Sequence, residues 1–435
     1  MNQIINKNIF WYLCASIPLT FTLGIAITEI FVLISIIFFF YENRDFKYIK
    51  DKNFLYLFLF SIYIAINSIT QISYDDLKLR AIFHFRFAIF CISIFYIFNF
   101  FKDKNDKYNF LLKLTFFLII FIIFDSHLQF FTGQNILGFE IIKNRISSIF
   151  GTELILGSFF LKILPLVLWV LFYSKFDLER HQKIFYIFFS LYFITIYLSG
   201  ERTSLILLFI SIIIYFVFLK SIRKILIVSS IVMSSFMIIT SFANIGESDP
   251  FNRIFIKTFN QVQNKFFLKK NYEIKLKSDI LFEEKKTPEN KIVIFSRDHN
   301  GHFVLAFHLF KESPIFGKGP SGFKNYCRKV LYDSDVGMCS THPHNFLMQI
   351  LAELGLIGFA FYFVGLFYVI IKLLYYHKKD INIHDKSCFI ISSIAVLINL
   401  FPFLPSGNFF NNWIMIINYY YIGLFIFGYN KIKNQ

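Results

Sequence analysis

Acidic residues are scarce in this 435-residue chain: 28 Asp and Glu stand against 44 Lys and Arg, for a net charge of +16. Charged residues of both signs reach only 17%, well below the roughly 25% of an average soluble domain. Cysteines number five and are scattered, with Cys14, Cys91 and Cys388 in or beside apolar segments. No small-residue cleavage site follows the first apolar region, from near Ile9 to Tyr41. That region therefore reads as two closely connected spans and not as a cleavable signal peptide. No internal repeat is visible. What the chain has in abundance is apolar surface: 56% hydrophobic residues, 21% aromatic, 64 Phe and a mean hydropathy of +0.58. These values place it among polytopic membrane proteins. The abundant Phe, Ile, Lys and Asn point to compositional bias, with most Phe serving as lipid-facing or core filler.

A crossing of the bilayer needs about 20 mostly apolar residues, fewer where neighbours shelter the ends. Twelve such segments are readable, near 9–23, 25–41, 54–70, 81–100, 109–131, 149–173, 184–199, 203–219, 225–242, 346–371, 387–404 and 411–428. With the N-terminus in the cytoplasm, the inside segments hold twenty basic residues, from Lys7 to Lys433. The short outside loops hold five: Lys78, Arg80, Lys143, Arg145 and Arg202. The positive-inside rule supports that orientation. The basic excess, which in a soluble protein would raise nucleic acid, here reads as topology, and no nucleic-acid partner is expected. The expected fold is an all-α membrane protein with about twelve transmembrane helices. Helices 1–9 fall within 1–242, one large extracytoplasmic loop within 243–345, and helices 10–12 within 346–435, with both termini cytoplasmic.

That loop holds half of the ten histidines: His299, His302, His308, His342 and His344. Its charged stretch from Lys265 to Lys291 reads as solvated surface beside anionic headgroups, and 303–310 as a short amphipathic helix. Gly317-Lys318-Gly319-Pro320-Ser321-Gly322 has the spacing G-x-G-x-x-G, but no strand precedes it and no βαβ context surrounds it, so dinucleotide binding is rejected. Gly317 and Gly319 instead predict a tight turn, or a close approach of backbone to a polar ligand. Cys327 and Cys339, with eleven residues between them in an oxidising compartment, predict a disulfide. A zinc site from Cys327, Cys339, His342 and His344 has a spacing that matches no common zinc pattern.

His342 and His344 flank Pro343, which biases the backbone toward extended geometry and would turn both imidazoles toward one cleft. Asn345 is placed to cap the helix that follows. Arg202, in the turn Ser199-Gly200-Glu201-Arg202-Thr203-Ser204, sits where a guanidinium either snorkels to the interface or contacts an anion. Arg145 and Arg297 are further outside arginines near span ends. Arg145 precedes a polar stretch in which Glu153 is a possible intramembrane carboxylate.

These pieces together resemble the O-antigen ligase and O-antigen polymerase-related family of polytopic membrane glycosyltransferases. His344-Asn345, nine residues, Gly355, two residues and Gly358 fit the family's ligase pattern. The block from Arg297 through His302, Ala306, Pro314, Gly317, Gly319, Phe323, Cys327 and Cys339 is similar to the loop of many members. So are Ser199-Gly200-x-Arg202-Thr203, and Arg145 with Phe150-Gly151 and Gly157. Glu201 departs from the pattern, since members often carry a small residue there. That acid would weaken an anion site or point away from it.

The resemblance implies transfer of a glycan from undecaprenyl pyrophosphate to a hydroxyl acceptor at the outer face of a bacterial inner membrane, with the large loop periplasmic. The acceptor would be lipid A-core for a ligase, or the next lipid-linked unit for a polymerase. The implied roles are His344 as general base with His342 as its partner or substitute, and Arg202 and Arg297 on the pyrophosphate, with Arg145 as a third cation. Asn345, Gly317 and Gly319 complete the expected substrate contacts. No cofactor and no metal are expected, and membrane lipids are partners. The ligase pattern around His344 favours a ligase over a polymerase. A transporter would place its charges near the bilayer midplane rather than at one face, and a scaffold leaves the His, Arg and Gly motifs unexplained.

Overall fold

Apolar runs in lipid must satisfy every backbone N–H and C=O internally, which dictates helices. The computed structural model describes residues 2–43, 48, 51–70, 79–174, 176–243, 245–260, 297–330, 340–433 and 435. Among them are fifteen α-helices and two isolated β-bridges, with no strand. In chain order the helices are α1 (Asn2–Thr20), α2 (Ile25–Glu42), α3 (Lys52–Thr70), α4 (Leu79–Ile82), α5 (Phe85–Phe100), α6 (Asn105–Thr132), α7 (Leu156–Tyr173), α8 (Gln182–Leu198), α9 (Arg202–Phe218), α10 (Arg223–Phe242), α11 (Arg297–Glu312), α12 (Gly322–Val330), α13 (Phe346–His377), α14 (Ile383–Asn399) and α15 (Asn412–Lys433).

Each of the twelve apolar segments falls on one of the longer helices. Six regions are long and apolar enough to cross a membrane: α2, α3, α6, α7, Lys220–Phe242 and α13. Helices α5, α8 and α9 are apolar but shorter. The core is built on α7, whose side chains are buried along nearly its whole length. Helix α14 packs against α7 and α15, α15 against α5, and α8 against α10. On the outside, Ile37, Phe117, Ile231 and Phe367 are more than half exposed. A ring of exposed large apolar residues around an apolar core is what a lipid environment requires.

The sixth apolar segment begins later than its hydropathy predicted. Ser148–Phe150 form a 3-10 turn, and α7 starts only at Leu156. Glu153 is accordingly exposed in the turn before α7 and does not lie within a membrane helix. Helix α13 is not continuous either. At Gly355 the backbone leaves helical geometry (φ 63°, ψ −161°). The loop after α11 fills the break: Lys318 N donates to Ala352 O (2.9 Å), and Leu356 N to Pro314 O (2.8 Å). From α3, the Tyr63 hydroxyl donates to Leu354 O and the Asn67 amide to Phe316 O. The backbone groups freed by the break are thus paired again, as burial demands.

The break also explains the glycines. A Cβ on Gly317 would lie 2.4 Å from the Glu353 carbonyl carbon, and one on Gly355 would lie 2.4 Å from Ile315 O. Gly317 permits backbone-on-backbone contact with α13, while Gly319 (φ 78°) turns the chain into α12. Neither lines the cavity described below. Cys327 is buried in a small apolar cluster with Leu305, Ala306, Leu309, Phe323 and Ala352, which seats α11 and α12 on α13. Cys339, and with it the expected pairing, lies outside the described residues.

Candidate active site

Four imidazoles gather where α11 meets the segment before α13. The His344 ring centroid lies 4.0 Å from His342, 5.2 Å from His302 and 5.6 Å from His299. His344 adopts a left-handed backbone (φ 56°), unusual for a residue with a Cβ. Its carbonyl accepts from Ser406 N (2.8 Å), and the next residue is fixed firmly. The Asn345 Oδ1 caps α13 by accepting from Met348 N (3.0 Å). Its Nδ2 donates to Pro402 O (2.9 Å) and Leu404 O (3.1 Å). The expected cap is therefore present, and it also ties the histidine segment to the loop between α14 and α15. Such strain held by surrounding structure is characteristic of working sites.

His342 is buried, with Nδ1 2.9 Å from the Thr341 hydroxyl. The His344 Nε2 lies 3.0 Å from the Ser340 hydroxyl. Burial pulls the His344 pKa down to about 3, helped by His342, His302 and His299. Burial also pulls His342 down to about 4, against a raising contact with the Ser406 backbone, and His302 and His299 lower it further. Both rings are neutral at pH 7 and able to accept a proton.

A group of cations lines the same cavity as the imidazoles. Arg145 is delivered by the segment 133–155, which is tied down by two buried α6 side chains. Asp125 accepts from Ile136 N (2.9 Å) and from Asn135 Nδ2 (3.1 Å), and Gln129 Oε1 accepts from Ser147 N (3.0 Å) and Ser148 N (2.7 Å). The Arg145 guanidinium donates to Ser199 O (3.3 Å) and Leu154 O, and its Nη2 pairs with Glu201 at 3.1 Å. Glu201 also accepts from Gly157 N (3.0 Å), Ser158 N (3.1 Å) and the Ser204 hydroxyl (2.9 Å). It therefore receives the first turn of α7, where a carboxylate is favoured by the helix dipole. Burial raises its pKa, while Arg145 and these hydrogen bonds act in the opposite direction. Glu201 does not point away from the arginines: it pairs with Arg145 and braces it against the start of α7.

Arg202, the first residue of α9, donates through Nε (3.2 Å) and Nη2 (2.9 Å) to Arg253 O. Arg253 sits on a π-helical turn, Asn252–Ile256, and donates to Gly200 O (3.2 Å) and Lys143 O (3.1 Å). Burial lowers its pKa, and repulsion from Arg145 and Arg202 lowers it further.

One cavity of about 1440 Å³ joins the two groups. Arg145, Arg202, Arg253, Lys162 and Glu201 line it together with His299, His342 and His344, with Phe21, Leu23, Ile25, Phe346 and Ile414 supplying apolar wall. Arg297 begins α11 two residues before His299, and its side chain lies outside the described residues. Among the described residues no set of three or more His, Cys, Asp or Glu converges in a metal-binding arrangement. The site residues that sequence reasoning missed are His299 and His302, Arg253 and Lys162.

The fold and site define a class: a helical protein with several membrane-capable helices and a large cavity shared by imidazoles and guanidiniums. Residues 304–363, running from α11 through α12 into α13, match the family model described as O-antigen ligase. This stretch is thus similar to the O-antigen ligase family, as the motif around His344 implied. A search of curated proteins returns no match.

Proposed function

We propose that this protein is a membrane glycosyltransferase that moves a glycan from undecaprenyl pyrophosphate to a hydroxyl acceptor at the outer face of the inner membrane, acting as an O-antigen ligase on lipid A-core. The observation that carries this reading is the cavity shared by His342 and His344 with Arg145, Arg202 and Arg253. In this reading the twelve apolar helices all cross the bilayer, both termini face the cytoplasm, and the site opens to the periplasm.

The acceptor hydroxyl is a poor nucleophile until its proton has somewhere to go. His344 takes that proton as the acceptor oxygen bonds to the anomeric carbon. The bond between that carbon and the pyrophosphate oxygen breaks, and the leaving diphosphate keeps the electron pair. The guanidiniums stabilise the charge gathering on it. Burial and three neighbouring imidazoles disfavour the cationic form of His344, and the negative charge of a bound diphosphate acts the other way. No nucleotide sugar or ATP takes part.

The test is deletion of the gene followed by gel analysis of the surface glycolipid, with complementation by His344→Ala. Loss of a ligase leaves bare core and accumulated lipid-linked chains, and His344→Ala reproduces that pattern while remaining in the membrane. Core bearing a single repeat would assign the protein as a polymerase. A normal ladder refutes both assignments.

A further inference from the structure

Lys162 is the sole charged residue of α7, and it lines the cavity, as do the apolar Leu161, Ile398 and Ile414. An ammonium in such a wall is costly unless something compensates it. Its Nζ donates to Asn399 Oδ1 (3.0 Å) and stands 5.6 Å from the Trp413 ring centroid. Asn399 is itself held in place, since its Nδ2 donates to Ala395 O (2.8 Å). An ammonium has three N–H donors; Asn399 takes one of them with a neutral oxygen, and the carboxylate that acts on the charge, Glu201, does so from a distance rather than as a direct ion pair.

The position is as informative as the charge. Glu201 meets α7 at Gly157 and Ser158, and Arg145 pairs with Glu201 and donates to Leu154 O just before the helix. Lys162 follows Ser158 by four residues, on the same helix face and about 6 Å further along the axis. The cavity therefore offers cations at two levels: guanidiniums at the start of α7, and one ammonium a turn further along it.

A polyprenyl diphosphate has the same two levels. Its sugar-side phosphate carries the scissile bond and its lipid-side phosphate carries the hydrocarbon chain. We propose that Lys162, oriented by Asn399, binds the lipid-side phosphate of the donor and retains the polyprenyl diphosphate when the glycan has left. This rests on the proposed transferase reading. The bond that breaks lies on the sugar-side phosphate, so charge develops under the arginines, whereas the lipid-side phosphate changes little during the reaction. Lys162 accordingly contributes to ground state and transition state alike, which affects KM, while the guanidiniums affect kcat.

The experiment uses the full chain in lipid nanodiscs and titrates undecaprenyl monophosphate, with phosphatidylglycerol as the competing anionic lipid. Lys162→Met should weaken undecaprenyl monophosphate binding by about tenfold or more and raise the donor KM to match, with kcat kept within about twofold. Lys162→Arg, which keeps the charge, should restore most of the binding and guards against a folding defect in the Met variant. Equal binding by wild type and Lys162→Met overturns the assignment, as does a loss confined to kcat. Displacement of the polyprenyl lipid by equimolar phosphatidylglycerol overturns it in favour of a general anionic-lipid site. If wild type itself neither binds the polyprenyl lipid nor transfers glycan, the underlying transferase reading has failed, which is a different result.

Discussion

Replacing Glu201 separates structure from chemistry among the cations of the site. Its carboxylate pairs with Arg145 at 3.1 Å, both side chains being only about one-seventh exposed (16% and 14%). It also accepts from two backbone N–H groups of the first α7 turn and from the Ser204 hydroxyl. Glu201→Ala strands a largely buried guanidinium and unpairs those donors. Breaking a buried pair from one side costs about 3–5 kcal/mol, much of it from the charge left behind. Glu201→Gln keeps one acceptor oxygen but loses the charge, and should cost about 1–3 kcal/mol. Thermal unfolding of the detergent-solubilised protein, followed by the loss of its size-exclusion peak, should rank wild type above Gln and Gln above Ala. A double variant with Arg145→Ala removes the stranded charge as well, so its loss should fall short of the sum of the two single losses. If Glu201→Ala melts with wild type, or if the double variant is strictly additive, the carboxylate is not bracing Arg145 and the account of this part of the cavity is wrong.

Three further outcomes follow from the same geometry. Gly355→Ala places a Cβ 2.4 Å from Ile315 O at a left-handed φ of 63°, and should cost about 2–4 kcal/mol or abolish folding. Gly365→Ala, whose nearest neighbour would be the Tyr56 hydroxyl at 3.4 Å, should express and melt normally as a control. Acid should loosen the histidine segment: folded pKa values near 4 for His342 and 3 for His344 lie below the ordinary 6.5, so the unfolded segment binds more protons and stability falls as pH drops from about 6.5 toward 3. Limited proteolysis at pH 7.5 and pH 5 checks this, and His342→Gln should flatten the difference. Arg253→Ala should reduce transfer by about tenfold or more without removing the protein from the membrane, measured by complementation with quantified glycolipid.

The sequence carried the helices and the heart of the site, but not how they are joined. Twelve apolar runs coincide with helices because backbone pairing leaves lipid-facing segments no alternative. The Asn345 cap and the meeting of His342 with His344 were readable because both depend on neighbours in sequence. The Gly355 break was hidden by an unbroken apolar pattern on both sides; hydropathy reports solvent preference and not φ. Arg253 had no local signal, since its place depends on Arg202 and Gly200, some fifty residues earlier. His299 and His302 enter through the packing of α11 on α13, which no spacing rule encodes. Lys162 did have a signal, a lone cation inside an apolar helix, and its meaning needed Asn399, 237 residues away.

The stitched break in α13 makes distance along the chain a measuring device. Eleven positions separate His344 from Gly355, and both ends are pinned, one by the α14–α15 connection and the other by the loop after α11. One residue inserted between them would swing the outer end of the helix by about 100° and lift it about 1.5 Å, carrying the imidazole out of line with the guanidiniums. The chain thus tolerates exchange of side chains in this stretch far better than any change in its length.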